Sequence, residues 1–204
     1  MLREAFPSND VEVVTASESG PHAIKHIGDS ITEHIDKDTP IYISDLAPND
    51  GEGRKFIDPF RHFSDVTVID HHEWNDKDTD QIEWVAKVYH DTERCATQII
   101  HDELIEDPRD EITELSKITA DHDLWIKERR EQSDDLSDLA QHTERSEYVE
   151  LALNHGSKML KTENGRELIE EARDIRERQT ELALNRTTYH DVNGQEVAIA
   201  YGEC

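Results

Sequence analysis

The stretch Val66–Asp70 reads VTVID, and it limits the possible folds more than any other short run in the chain. It is a hydrophobic strand with no polar face to turn toward water, and such strands belong in parallel sheets covered by helices. The surrounding sequence alternates strand and helix signals, as a parallel α/β sheet requires. VEVVTA (Val11–Ala16) reads as a strand. His22–Ile35 reads as a helix, with Ile24, Ile27, Ile31 and Ile35 spaced by three and four, although Gly28 interrupts it. A second strand lies in PIYISDLAPND (Pro40–Asp50), which ends in an acid and a turn at Asn49-Asp50-Gly51. Gly53–Phe63 reads as a short helix or irregular link broken by Pro59, and Ile82–Tyr89 as a further strand with Trp84 in the core.

Helical signals then dominate. Glu93–Ile105 follows Thr92, a candidate N-cap, and Pro108–Trp125 opens with proline at a first helical position. Two shorter helices are expected within Leu136–Asn154. A longer one spans Gly165–Asn185, with Leu168, Ala172, Ile175 and Leu182 on one stripe. The last segment, Thr187–Tyr201, reads as a hairpin around Asn193-Gly194.

Composition decides whether such a chain folds at all. Apolar residues make up 34%, and 48 Asp plus Glu stand against 22 Lys plus Arg, a formal charge of −26. Low hydrophobicity with high net charge is a signature of disorder, but it also suits a folded protein in molar salt, where the Debye length shrinks to about 3 Å. The regular strand and helix patterns favour the second reading, a halophilic protein of the cytoplasm. The chain has no signal-peptide pattern and no apolar run near membrane-spanning length. Cys95 and Cys204 form no disulfide framework, and Cys95 reads as a small core residue. No basic stripe is present to hold long duplex nucleic acid. If the substrate is a phosphate, metal ions must supply most of the positive charge.

Two expected strands end in acids, Asp45 and Asp70, and the second is followed by His71 and His72. Open α/β sheets bind ligands at the carboxyl ends of their strands. The bland alternative is an Asp turn followed by surface histidines; the strand-end position favours a site. Mixed carboxylate and imidazole donors suit Mn²⁺ or a similar ion better than Ca²⁺. Two such ions about 3.5–4 Å apart can clamp a phosphoryl group during hydrolysis.

VTVIDHH resembles the signature of the DHH phosphoesterase superfamily. IYISDLAPND resembles the family's second motif, RCATQII the helix start after its third, and TADHDLW its fourth. The order fits over nearly the whole chain, and the SDLAPN and DHDLW variants are most similar to the oligoribonuclease branch of the nanoRNase B type. The resemblance implies a parallel-sheet phosphoesterase domain over residues 1–160, a connector helix over 161–186 and the start of a second domain over 187–204. It implies that Asp45 bridges two Mn²⁺ ions, or Mg²⁺ or another divalent metal, with His71 and Asp123 as further ligands. Asp121 is the competitor for the place of Asp123, and His122 is a surface residue. His72 would face the substrate phosphate, while Asp70 would bind metal or orient the imidazoles. Trp74 and Arg94 are candidate substrate contacts, Trp74 as the best of Trp74, Trp84 and Trp125 for stacking on a base. The implied substrate is a short oligoribonucleotide or cyclic nucleotide, and a homodimer is compatible with the pattern.

One departure from the family is large. Its first motif, which supplies one histidine and two aspartates, is absent, as is its late glycine-rich substrate motif. The chain is therefore expected to begin downstream of half its metal site, with impaired activity. Polyphosphate or phosphomonoester hydrolysis on the same metals, and a catalytically inert scaffold, are the alternatives.

Overall fold

The computed structural model of the protein describes residues 1–5, 14, 21–32, 34–48, 50–192 and 195–199. The chain divides into two compact units, Met1–Trp125 and Ile126–Cys204. The strand expected at Val11–Ala16 lies outside the described residues apart from Val14.

The first unit is α/β. Strands β1 (Ile41–Ser44), β2 (Val66–Asp70) and β3 (Lys87–His90) form a parallel sheet in the order β1-β2-β3. Every residue of the central β2 is buried, Thr67 and Asp70 included, as its β-branched, largely apolar run leads one to expect. Its two faces have different covers. Val66 and Val68 join a core with Ile24 of helix α2 (Pro21–Thr32), Phe56 and Ile57 of α3 (Gly53–Ile57), Phe60 of the 3-10 turn Asp58–Phe60, and Ile82 of α4 (Asp76–Glu83). Ile69 faces the other way, against Ile99 and Ile100 of α5 (Ala96–Leu104), with Met1 and Leu2 beside them. Leu2 opens the single-turn helix α1 (Leu2–Ala5), which Glu4 ties to Arg109 through two hydrogen bonds of 2.9 and 3.0 Å. Helix α6 (Asp110–Asp123) completes this unit. Gly28 is tolerated inside α2 for a packing reason: a Cβ there would lie 2.3 Å from the Cβ of Pro59.

Four local expectations are corrected. Ile82–Glu83 closes helix α4, so the strand covers only Lys87–His90. Trp84 caps that helix and is 86% exposed, not core: Ile82 takes the buried face and Trp84 lies about 200° further round the helix. The N-cap of α5 is Cys95 and not Thr92, and α6 begins two residues after Pro108.

The second unit holds α7 (Arg130–His142), α8 (Arg145–His155), a 3-10 segment Gly156–Lys161, α9 (Glu163–Asn185) and the hairpin β4 (Thr188–Val192) and β5 (Gln195–Ile199). Leu139, Met159, Ile169 and Ala172 are buried in it. Asp135 and Asp138 of α7 pair with Arg173 and Arg176 of α9. Arg176 reaches both oxygens of Asp138 at 3.0 Å, but only Oδ1 meets it at hydrogen-bonding geometry. The apolar stripe expected on α9 stops short: Leu168 and Ile175 are half-buried, while Leu182 is 51% exposed. The hairpin is antiparallel with Val192 opposite Gln195; its Asn193-Gly194 turn lies outside the described residues.

No described helix is long and apolar enough to cross a membrane. The excess of acid over base remains the main threat to this fold, because the carboxylates repel one another when unscreened. Far-ultraviolet circular dichroism should therefore lose intensity on dialysis from molar KCl to below about 1 M salt. A spectrum unchanged down to millimolar salt would refute adaptation to high salt.

Candidate metal centre

Parallel strands place all their carboxyl ends at one edge of the sheet. Asp45 follows β1 there, His71 and His72 follow β2, and Asp91 follows β3. The backbone N–H of Asp45 donates to the carbonyl of Ile69 at 3.0 Å, and that of Asp91 to the carbonyl of Asp70 at 3.2 Å. These bonds extend the ladders one residue past the strands and fix where the acids stand. Asp45 also adopts a left-handed backbone, φ 59°. Aspartate tolerates this better than most residues, and such conformations concentrate at functional sites.

Helix α6 brings the fourth residue. Its last position is Asp123, whose Oδ2 lies 3.3 Å from His71 Nε2. Asp45 Oδ1 lies 3.3 Å from the same nitrogen. Asp45, His71 and His72 each offer a donor atom, all within 4.8 Å of one another. Residues far apart in sequence thus converge on one point. Asp121 is buried in α6, and His122 is exposed as expected.

The donor set fits a divalent ion of the Mn, Fe or Zn class: carboxylate oxygens with imidazole nitrogens. Asp45 and Asp123 each stand 3.3 Å from His71 Nε2, a spacing that two ligand atoms about 2.1 Å from a shared ion also show, and His72 is the third member of the group whose donor atoms all lie close together. The charges also call for a cation. Burial, then the neighbouring charge of Asp123, pushes the Asp45 carboxyl above the usual carboxylate range, against the pull of His71 and His72.

Asp70 does something else. It is fully buried, and its oxygens accept from the His72 backbone N–H (3.2 Å), from His72 Nδ1 (2.9 Å) and from the Trp74 indole N–H (2.7 Å). It therefore orients His72, and its oxygens are engaged by these three donors. The bond at Nδ1 leaves Nε2 as the outward nitrogen of His72. Burial disfavours the charged His72 ring, but the hydrogen bond and charge of Asp70, with Asp45 and Asp123 behind it, outweigh burial and raise the pKa.

Two expected substrate contacts have partners within the chain. Trp74 lies with its ring stacked on His90, centroids 4.4 Å apart and planes 11° from parallel, and its N–H is spent on Asp70. It braces the site through one face of its ring and its N–H. Arg94 is held by Asp91 at 2.7 Å and by Asp102 and Glu103 at 3.1 Å each. Those carboxylates raise its pKa further and occupy the fork that would grip a phosphate. Cys95 is buried, and burial pushes its thiol up to about 11, too high for a nucleophile at neutral pH. The tight turn at Asp50-Gly51 is a structural device: Asp50 accepts from Asn75 Nδ2 at 2.5 Å.

Sequence reasoning missed two residues. His90 bonds the His72 backbone, and Asp78 holds the loop that follows Asp45. A weak signal existed for Asp78, since Asn75 followed by acids is a helix N-terminus pattern. None existed for His90.

Comparison with family models, with curated proteins and with solved structures gave no match to this chain.

Proposed function

We propose that the chain is a metal-dependent phosphoesterase whose substrate is a short nucleotide phosphodiester. The observation that carries this reading is the convergence of Asp45 and Asp123 on His71 Nε2, each at 3.3 Å. Asp45, His71 and Asp123 would hold the ion, Mn²⁺ by the softness of the set. When bound, the ion supplies Lewis acidity toward a phosphoryl oxygen and lowers the pKa of water.

The remaining chemistry belongs to the chain. Protonated His72 donates from Nε2 to a non-bridging phosphoryl oxygen and stabilises charge that grows in the transition state. Asp70 favours the charged form of that ring and fixes which nitrogen faces outward. Trp125, two residues after Asp123 in sequence and 69% exposed, is the aromatic side chain that favours a nucleotide over an inorganic phosphate in this reading.

The test is the pH profile of hydrolysis of a labelled RNA dinucleotide, in molar KCl, with Mn²⁺ and with a chelator. Hydrolysis should require Mn²⁺ and fall as pH rises through the elevated range of His72, because the donor proton is then lost. Hydrolysis that survives the chelator would sink the metal assignment. Bis-nitrophenyl phosphate and polyphosphate, run beside it, would reveal a different phosphoester preference.

A further inference from the structure

We propose that His90 is a positioning residue for His72, acting through a closed circuit that β3 applies to the loop after β2. The proposal deepens the phosphoesterase reading and rests on it for the role of His72. Asp70 and His90 are register partners across β2 and β3, so both stand at the same edge of the sheet. The Nε2–H of His90 donates to the carbonyl of His72 at 2.6 Å. The same ring stacks on Trp74, the Trp74 N–H donates to Asp70, and Asp70 holds both the backbone N–H and Nδ1 of His72.

His72 is thereby fixed at three of its atoms: carbonyl oxygen, amide nitrogen and ring Nδ1. It needs this, because its side chain is 49% exposed and packing alone cannot hold the ring. A donor to a developing oxyanion is effective only if its position is set before reaction. Histidine meets both demands at position 90, a ring that stacks and an N–H that donates. Glutamine keeps an N–H donor but has no ring to stack on Trp74. Phenylalanine keeps the ring but has no donor.

The test uses the full chain in molar KCl and compares His90→Phe, His90→Gln and Trp74→Phe with the unaltered protein. The first readout is the imidazole Nδ1–H proton resonance of His72, which a bond to a buried carboxylate moves downfield and protects from exchange. The second is kcat and KM for the Mn²⁺-dependent dinucleotide reaction, with Mn²⁺ affinity measured by electron paramagnetic resonance. In His90→Phe the resonance should broaden or vanish, and kcat should fall about ten- to hundredfold with KM and Mn²⁺ affinity little changed. His90→Gln should recover part of both losses, and Trp74→Phe, which keeps a stacking ring but drops the bond to Asp70, should weaken the resonance. A His72 resonance of unchanged position and exchange rate in both His90→Phe and Trp74→Phe would overturn the proposal. The resonance is read without substrate, so a chain that hydrolyses nothing would defeat the phosphoesterase reading while this readout still decides the circuit.

Discussion

Asp45→Asn and Asp123→Asn should each lower Mn²⁺-dependent hydrolysis by at least about a hundredfold, more than loss of an outer hydrogen bond at a metal site costs. Asp121→Asn should retain most of the activity per folded molecule. Asparagine is the right probe at position 45, because it tolerates the left-handed backbone there as aspartate does, whereas alanine would add strain. Loss of activity would then report the lost carboxylate charge and not a displaced loop. The stability change carries a second sign. Burial and the charge of Asp123 raise the Asp45 pKa, so the folded state binds this proton more tightly than the unfolded state. Stability from this group therefore falls as pH rises from the ordinary carboxylate range through the raised value. Once ionised, the carboxylate weakens the metal-free fold, and Asp45→Asn should unfold no earlier than the unaltered protein. Asp121 is buried in α6, so its replacement is expected to act on folding. Activity kept by Asp123→Asn and lost by folded Asp121→Asn would reverse the choice between the two acids.

What could be read from the sequence depended on whether a residue's partners leave a pattern. β2 was legible because an apolar run is itself the consequence of burial on both faces. The proximity of Asp45, His71 and Asp123 was legible because strand ends and a helix end meet at one edge of an open sheet, and because the motifs resembled a known superfamily. Helix α4 was not, since its buried residues are Asp78 and Ile82. A helix whose inner face is partly a carboxylate shows no 3.6-residue apolar period, and Trp84 was then misplaced by continuing a strand through it. The clamp on Arg94 was hidden for a related reason: Asp102 and Glu103 lie eight and nine residues away, outside the spacing at which helical charges pair. His90 was invisible because its partner is a backbone carbonyl, which every residue carries.

Asp78→Ala should have the largest effect on folding, about 2–4 kcal/mol, although Asp78 touches no candidate ligand. Its carboxylate is 1% exposed and accepts from the backbone N–H of Gly53 (2.7 Å), from that of Gly51 (2.8 Å) and from Asn75 Nδ2 (2.6 Å). Asn75 in turn caps α4 by accepting from the Asp78 N–H at 2.9 Å. One side chain thus ties the start of α4 to the loop between Asp45 and α3. Hydrogen bonds to a charged acceptor contribute roughly 1.5–3 kcal/mol each, and a buried donor left without a partner costs about 1–3. Gly51 is exposed and can turn to water, whereas Gly53 is buried and cannot, so the loss comes mainly from Gly53 and Asn75. Removing a buried charge recovers part of its desolvation cost, which keeps the net effect below the sum. Urea unfolding in molar KCl should show a midpoint lower by about 1–2 M for a slope near 2 kcal/mol per M. Gly53→Ala should act in the same direction, because a Cβ there would stand 2.8 Å from the Asp78 backbone and 2.9 Å from its Oδ1. A midpoint shift under about 0.3 M for both variants would mean that water replaces the clamp and that the loop after Asp45 is held by something other than Asp78.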